Sequence, residues 1–413
     1  MMLFQESHSP KPLLLVFPFG LLSHYLRCIV LANQFRSYFD VLIARSDRYQ
    51  DFIEKEGFNT FDCRDIEADK VMECVRKFDF SWINKGSLER VYQDQVEVLK
   101  QYKPLAVLGD TSPTLKMAAE KTGVTYLSLQ NGYMTKYYQY TRKISRTHPG
   151  SKYLKTLPSG IVGRLTQFGE ALSFYKIHQP FKKIRQQEGL SEKKNYQDEL
   201  EGDINLVCDL PELFPLKRLP ANYKLIQPLF YEGGNISSKT EINLERGKKT
   251  IFVSMGSTGD WSQVSFLNHE YFRKFNLVTA GDKESVLNGP HVIKLDFANA
   301  KDVFPFTDLV ICHGGNGTIY QALSYGIPLL CKTAHFEQEW NVDALERIHA
   351  GQSLDNVSDL AEYMSVVDKW ITKKEKGALS SFRNLISNQQ QLGELAVHEV
   401  SRKILGGRVL WEV

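Results

Sequence analysis

Short apolar runs alternate with segments of helical spacing along this chain, and the alternation occurs in two separate series. The runs of the first series, each of strand length, lie at 13–17, 41–44, 105–108 and 124–129. Those of the second series lie at 250–254, 277–280, 291–293, 309–312 and 327–330. Because strands that alternate with helices form parallel sheets covered on both faces, the pattern predicts an α/β fold with two such sheets.

A polar stretch separates the two series. Residues 232–248 contain adjacent glycines and many charged side chains, a composition typical of an interdomain linker. A chain of 413 residues is also too long for one ordinary hydrophobic core. We therefore predict two Rossmann-like domains that face each other across a cleft. The predicted limits are 1–232 for the first domain, 233–248 for the linker, 249–385 for the second domain and 386–413 for a terminal helical segment.

The composition excludes several classes of protein. A net charge of +3 and the absence of a recognised binding motif argue against nucleic acid as a partner. The six cysteines are scattered without CxxC or zinc spacing, which favours a reducing compartment and predicts no metal site. No apolar run reaches the ~18–20 residues that a membrane-spanning helix needs. The expected location is the cytoplasm.

A glycine-rich turn follows the predicted strand at 309–312. It reads His-Gly-Gly-Asn-Gly-Thr over residues 313–318 and leads into a predicted helix. Glycines at such a turn let backbone N–H groups approach an anion, and the helix dipole favours negative charge there. A tight turn that only packs helix against strand is the alternative. A second glycine turn at 255–258 favours the anion site, because ligands bind at the carboxyl ends of parallel strands.

Two polar side chains follow strands of the first series. His24 lies at the start of a predicted helix, and Asp110 ends the strand at 105–108. A histidine held by a carboxylate can act as a general base, because the carboxylate fixes the tautomer and stabilises the imidazolium. A structural interpretation is also open, with His24 as a surface residue and Asp110 as a helix cap. Thr111 or Ser112 also qualifies as that cap, with the helix then starting at residue 113.

The glycine turn belongs to a longer signature. The segments 313–328 and 335–341 resemble the donor signature of the UDP-glycosyltransferase-like superfamily, which has the GT-B fold. Other segments resemble further parts of that family, namely 181–190, 211–229, 252–257 and 297–305. The resemblance is dense over about 180–345 and thinner before it.

The resemblance implies an inverting glycosyltransferase. A sugar would move from a nucleotide-diphosphate sugar, a UDP- or dTDP-sugar, to the hydroxyl of a small-molecule or lipid-linked acceptor. The domain at 1–232 would bind the acceptor, the domain at 249–385 the donor, and the last helix would cross back to the first domain. His24 would be the base, oriented by Asp110. The chain has no Asp-x-Asp motif, so the helix end is expected to replace a metal ion, and no cofactor is expected.

The same resemblance assigns the donor-binding residues. They are Gly256, Ser257, Thr258, Phe297, Ala298, His313, Gly315, Asn316, Gly317, Thr318, Gln321, Glu337 and Gln338. The glycine turn at 313–318 would bind the diphosphate, Phe297 and Ala298 the base, and Glu337 with its neighbour the sugar hydroxyls. Many family members have Glu at the position of Gln321, where it binds ribose, and Asp at that of Glu337. Sugar and base identity therefore stay open.

Two alternative functions remain at this point. A sugar-nucleotide epimerase on the same fold would bind a similar donor and need no acceptor. An inert subunit that binds the nucleotide sugar would need neither His24 nor Asp110. The presence of both residues favours sugar transfer.

A basic segment lies within the first predicted domain. Residues 135–187 contain eleven Lys or Arg and one acidic residue, Glu170, with many aromatic side chains between them. Such a patch can contact anionic lipid headgroups and would make the protein membrane-peripheral. A solvated face around an acceptor-binding loop is the other interpretation.

Overall fold

A computed structural model describes residues 10–148, 150–154, 159–233, 242–374, 377 and 379–409. The strands of the first sheet are β1 Leu13–Pro18, β2 Asp40–Ala44, β3 Asn59–Phe61, β4 Ala106–Asp110, β5 Thr125–Gln130, β6 Ile204–Val207 and β7 Tyr223–Leu225. The strands of the second sheet are β8 Thr250–Ser254, β9 Asn276–Ala280, β10 Val292–Leu295, β11 Leu309–Cys312, β12 Leu329–Cys331 and β13 Gly351–Ser353. The predicted α/β fold class is confirmed.

Helices connect most of these strands. Those of the first half are α1 Leu22–Phe35, α2 Gln50–Lys55, α3 Ala68–Arg76, α4 Lys85–Tyr102, α5 Leu115–Thr122, α6 Ser151–Leu154, α7 Ser159–Glu188 and α8 Tyr196–Leu200. Those of the second half are α9 Ala300–Val303, α10 Asn316–Ser324, α11 Phe336–Arg347, α12 Leu360–Ile371 and α13 Ser380–Val409. Short 3-10 turns lie between some of them.

The two sheets share one strand order, which the first sheet extends by a seventh strand. The strand orders are β3-β2-β1-β4-β5-β6-β7 and β10-β9-β8-β11-β12-β13. Neighbouring strands pair in parallel throughout. The order reverses between β1 and β4 in the first sheet and between β8 and β11 in the second. Ligands of open α/β sheets bind in the crevice outside the carboxyl ends of the strands at such a switch point.

Alternate side chains of β1 enter two different cores. Leu15 and Phe17 belong to one apolar cluster, Leu14 and Val16 belong to another, and all four are buried. The second sheet is covered in the same way, with Phe252 in one cluster and Ile251 in another. Parallel strands that are buried on both faces have continuous apolar sequences, which is why the sequence located most of them.

The helix after β4 starts later than predicted. It begins at Leu115, and the preceding Thr114 makes no side-chain capping hydrogen bond. The predicted cap at Thr111 or Ser112 is therefore wrong. Thr111 has a left-handed φ of 53°, so the chain makes a turn before the helix. The hydroxyl of Ser112 accepts a hydrogen bond from Gln95 at 3.1 Å instead.

The last helix contacts both halves of the chain. In α13, Val397 and Val400 are buried in a cluster with the first sheet, whereas Ile386 is buried with the second. The predicted domain limits stay a prediction. Of the predicted ranges, residues 1–9, 149, 155–158, 234–241 of the linker, 375–376, 378 and 410–413 lie outside the described residues.

Candidate active site

One large cavity lies between the two sheets. Its volume is about 1310 Å³, and its walls come from the carboxyl ends of strands in both halves. The predicted residues that line it are His24, Gly256, Ser257, Thr258, Phe297, Ala298, His313, Gly315, Asn316, Gly317, Thr318, Gln321, Glu337 and Gln338. Asp110 is wholly buried and contacts His24. The structure thus brings the predicted residues together at one site.

The two glycine turns meet at the ring of His313. Gly256 has a φ of +58°, and a Cβ there would lie 2.5 Å from Cε1 of His313. A Cβ on Gly315 would collide with Nε2 of the same ring. Only glycine fits at these two positions, because any side chain would displace the imidazole. Burial lowers the pKa of His313 to about 4, so the ring is neutral at pH 7.

The first turn of α10 is open towards the cavity. The helix begins at Asn316 after Gly315, whose residue type offers no side-chain cap, and residues 315–318 are half-buried. A Cβ on Gly317 would meet no atom within 4 Å, so the space beside this turn is free. The first N–H groups of a helix have no partner within the helix, and the dipole makes this end positive. The turn therefore suits an anion such as a phosphate group.

A charged cluster lies at the switch point of the first sheet. Nδ1 of His24, in the first turn of α1, lies 3.0 Å from Oδ2 of Asp110 at the end of β4. Arg27, one turn further along α1, donates to both oxygens of Asp110. Its other terminal nitrogen donates to Oδ1 of Asn131 at 2.7 Å. The cluster therefore joins a histidine, a carboxylate and a guanidinium at the wall of the cavity.

Arg27 changes the electrostatics of the predicted pair. Burial raises the pKa of Asp110, but Arg27 and then His24 outweigh burial, so the pKa lies below its usual value. Asp110 is thus a carboxylate at neutral pH. The sequence reasoning missed Arg27. The available signal was its position three residues after His24, which places both side chains on one face of a helix.

Glu337 lies close enough to the His24 cluster for the charges of that cluster to shift its pKa. Burial raises the pKa of Glu337, while His24 and Arg27 lower it and Asp110 raises it further. Glu337 belongs to the first turn of α11, which starts after His335. Burial, followed by the nearby His313, lowers the pKa of His335 to about 3. The first sheet's charged cluster and the second sheet's carboxylate therefore share one cavity.

The amide side chains already have protein partners. Gln338 is 2% exposed, accepts a hydrogen bond from the N–H of Ala334 at 2.7 Å and donates one to the hydroxyl of Thr258 at 3.1 Å. Gln321 donates from Nε2 to the carbonyl oxygen of Tyr231 at 2.6 Å, which leaves its own amide oxygen as an acceptor. Gln338 thus ties α11 to the second glycine turn, and Gln321 ties α10 to the segment after β7.

Phe297 lies in an aromatic group at one end of the cavity. Its ring centroid is 5.4 Å from that of Phe52 and 6.4 Å from that of Tyr231. Phe297 and Ala298 are half-buried and face the cavity. Aromatic faces of this kind can stack on a planar ring.

The wall formed by the first half is largely apolar away from His24. It includes Leu21, Met72, Val75, Trp82 and Ile83. Within the described residues, no group of three or more His, Cys, Asp or Glu side chains is arranged to hold a metal ion. The arrangement provides an apolar compartment on one side and, on the other, a helix end suited to an anion.

Comparisons with known proteins agree with this architecture. Residues 237–381 match the glycosyltransferase family 28 C-terminal domain. A PGL/p-HBAD biosynthesis glycosyltransferase of Mycobacterium tuberculosis is 24% identical over 340 residues, which cover 80% of this chain and 77% of the relative.

Solved structures share the fold at low sequence identity. The spinosyn rhamnosyltransferase in complex with spinosyn aglycone has a TM-score of 0.65 at 15% identity, covering 92% of this chain and 98% of that chain. A Streptomyces sp. SF2575 glycosyltransferase in complex with thymidine diphosphate has a TM-score of 0.61 at 16% identity, covering 92% and 100%. The sheet topology, the matched domain and these relatives agree: the chain is a glycosyltransferase with the GT-B fold.

Proposed function

We propose that this glycosyltransferase moves a sugar from a nucleotide-diphosphate donor to the hydroxyl of an apolar acceptor, with inversion at the anomeric carbon. One observation carries the proposal. The cluster of His24 and Asp110 and the uncapped end of α10 line the same cavity from opposite sheets. A base and an anion-binding site on two sides of one space are what displacement of a diphosphate requires.

The donor would lie on the second sheet. Its diphosphate would accept hydrogen bonds from the first N–H groups of α10 and from Thr318, beside the neutral ring of His313. Phe297 and Ala298 would contact the base, and the free amide oxygen of Gln321 would accept from a ribose hydroxyl. The thymidine diphosphate in the Streptomyces relative supports a UDP- or dTDP-sugar.

Glu337 is the sugar-binding group that the geometry favours. Glu337 lines the cavity that the glycine turns also line, and His24 and Arg27 influence its pKa, so a sugar held between donor site and base would be within its reach. Gln338 has both amide atoms engaged, so a sugar hydroxyl would have to share or displace those bonds. We therefore propose that Glu337 accepts a hydrogen bond from a sugar hydroxyl. Gln338 belongs to the same donor site, where it donates a hydrogen bond to Thr258.

His24 would act as the base in a single displacement. Nδ1 lies 3.0 Å from Oδ2 of Asp110 and 3.1 Å from the guanidinium of Arg27. With the Nδ1 proton directed at the carboxylate, Nε2 is the nitrogen that would take the acceptor proton. The acceptor oxygen forms a bond to the anomeric carbon as the bond to the diphosphate oxygen breaks. The electron pair leaves with the diphosphate, where the α10 terminus stabilises the developing charge. Asp110 stabilises the resulting imidazolium.

The acceptor would occupy the apolar compartment. The wall around Met72, Trp82 and Ile83 suits a hydrocarbon or aromatic body better than a free sugar, because buried hydroxyls need hydrogen-bonding partners. One relative is named for PGL/p-HBAD biosynthesis, and a rhamnosyltransferase of the same fold has been solved in complex with a spinosyn aglycone. An apolar molecule that carries a reactive hydroxyl is the class of acceptor we propose.

A donor and acceptor panel tests this function. The protein is incubated with UDP- and dTDP-sugars and apolar hydroxyl acceptors, with and without a chelator, and products are identified by mass spectrometry. Acceptor-dependent release of nucleoside diphosphate that the chelator does not change is expected. An isomerised donor without a glycoside would indicate an epimerase, and binding without either product would indicate an inert subunit. Retention of anomeric configuration would contradict direct displacement.

We further propose that the long helix α7 contacts an anionic lipid surface. Its outward face carries an apolar stripe with a 4-3-4-3 spacing. The side chains are Ile161, Leu165, Phe168, Leu172 and Tyr175, which are 50%, 47%, 71%, 42% and 56% exposed. No helix in the described part of the chain is long and apolar enough to span a bilayer. An amphipathic helix can instead lie in the interface, with its apolar face inserted.

The charges beside the stripe indicate the partner. Much of the predicted basic segment is engaged internally: Arg142 pairs with Glu170 at 2.8 Å, and the wholly buried Arg185 pairs with acidic residues. Lys155 lies outside the described residues. Arg164 and Lys176 flank the stripe, are exposed, and have no acidic partner among the described residues. Two copies packed along this face would bring like charges together, whereas an anionic bilayer would neutralise them.

Vesicle flotation tests this contact. The wild type should float with vesicles containing phosphatidylglycerol and less with purely zwitterionic ones, and Phe168→Ser with Leu172→Ser should reduce flotation. Leu392→Ser with Leu395→Ser is the matched control, because those side chains are 58% and 66% exposed on α13. Equal flotation of both double variants, or a dimer that only the first variant dissociates, would overturn the lipid assignment.

A further inference from the structure

A buried carboxylate connects the two sheets beside the cavity. Asp209, two residues after β6, is 1% exposed. From its own half, it accepts hydrogen bonds from the N–H of Gly132 at 2.5 Å and from the amide of Asn131 at 3.3 Å. From the other half, it accepts from the hydroxyl of Tyr320 at 2.8 Å and the amide of Asn316 at 3.2 Å. The last two residues lie on consecutive turns of α10.

The hydrogen bonds continue from Asp209 to the His24 cluster. The amide oxygen of Asn131 accepts from Arg27 at 2.7 Å, while its nitrogen donates to Asp209. Arg27 in turn holds Asp110, the partner of His24. A continuous series of side-chain contacts therefore runs from His24 to the first turn of α10.

The charge of Asp209 matters because its four partners all donate. A carboxylate offers two oxygens with about four acceptor positions, whereas an amide or a protonated acid offers fewer and adds a donor. Burial raises the pKa of Asp209 to about 6, while Tyr320, Gly132, Asn131 and Arg27 act in the opposite direction. At neutral pH the group is mostly ionised and can satisfy every donor.

We infer that Asp209 is a positioning residue for sugar transfer. It fixes α10, which we propose holds the leaving diphosphate, relative to His24, which we propose accepts the acceptor proton. The inference rests on that proposed function, and it assigns to Asp209 no contact with the substrate. A shift of ~1 Å between reacting groups can reduce a rate by about 100-fold without loss of binding. Asp209 acts on the geometry of transfer and leaves donor affinity largely unchanged.

The substitution Asp209→Asn tests this role. It keeps the shape of the side chain but replaces one acceptor oxygen with a donor. We expect kcat to fall by about 10–100-fold. The dissociation constant of the nucleoside diphosphate, measured by calorimetry, should change by less than about threefold. The matched control is Asp282→Asn, because Asp282 is also buried but accepts only from backbone N–H groups of the second half, at 2.9 Å.

A double-mutant cycle provides the second measurement. Asn131→Ala interrupts the same series between Arg27 and Asp209, so the two substitutions together should cost little more in kcat than Asp209→Asn alone. Additive losses would overturn the inference. So would equal kcat losses in Asp209→Asn and Asp282→Asn, or a fall in melting temperature with unchanged kcat per folded molecule. If Asp209→Asn does not fold, the kcat and diphosphate affinity of Asn131→Ala decide: unchanged kcat contradicts the inference. Failure of the wild type to form any glycoside would contradict the proposed function itself.

Discussion

The two switch points of this enzyme build their halves of the cavity by different means. At the β8–β11 switch point, two glycine turns and the free end of α10 bring backbone groups to the cavity around a neutral His313. At the β1–β4 switch point the polar site is made of ionised side chains, with Asp110 and Arg27 beside His24. A backbone site depends on steric room, whereas a side-chain site depends on charge balance. The two halves should therefore fail in different ways when they are altered.

The largest effect is expected on the side-chain half. His24→Ala removes the proposed base, and kcat should fall by about 10²–10⁴-fold while nucleoside diphosphate binding stays intact. Steady-state kinetics and calorimetry measure the two quantities. His398→Ala is the control, since that ring contacts Tyr38 on the outside of the protein. Unchanged turnover would remove His24 from the mechanism.

The next effect concerns stability at the same switch point. Asp110→Asn leaves the guanidinium of Arg27 buried without its carboxylate, which should lower the free energy of unfolding by about 3–5 kcal/mol at pH 7. The folded protein lowers the pKa of Asp110, so this contribution is present above the ordinary carboxyl value of about 3.9 and is lost as the pH falls below it.

Urea unfolding at several pH values measures that difference. Wild type and Asp110→Asn should differ most near neutrality and converge in acid. Asp69→Asn is the control, because its pair with Arg48 is exposed and should contribute nothing measurable. A difference that does not depend on pH would contradict the charge-balance explanation.

A smaller effect is expected on the backbone half. In Gly256→Ala, the new Cβ would lie on a residue with a left-handed φ and would collide with the ring of His313. We expect this strain to cost about 1–3 kcal/mol. Nucleoside diphosphate should bind about 10–100-fold more weakly by calorimetry, since the glycine turn and His313 move together. Gly163→Ala has open space around its Cβ and should bind as the wild type does. Full affinity in Gly256→Ala would show that this turn does not shape the donor site.

The smallest effect is expected at Gln321, where many members of the family that this sequence resembles have Glu. Gln321→Glu would replace an N–H donor with a carboxylate that faces the carbonyl oxygen of Tyr231. The lost hydrogen bond should raise the donor KM by about 2–10-fold. Gln321→Met, which keeps the length without either polar group, separates the repulsion from the lost bond. A lower KM in Gln321→Glu would mean that ribose binding outweighs the contact with Tyr231.

The sequence by itself determined the parts of the protein that arise from neighbouring residues. Strands β1, β8 and β11 are continuous apolar runs because parallel strands are buried on both faces. The glycine turn at 313–318 was recognisable because a strand end, its glycines and a helix start are adjacent in the chain. The pair of His24 and Asp110 followed from the rule that strand ends of one sheet meet at one edge, although its charge balance did not.

Only the tertiary structure decided which side chains complete the site. Arg27 meets Asp110 across 83 positions and Asn131 across 104, and Asp209 meets Asn316 across 107. The sequence pattern did not predict strands β6 and β7, which are short. Asp209 lies two residues after the end of β6. Contacts between residues so far apart leave no local pattern, since they exist only once both sheets have formed. The sequence therefore indicated where a phosphate group could bind. The folded chain determined which side chains balance the charges of Asp110 and Asp209.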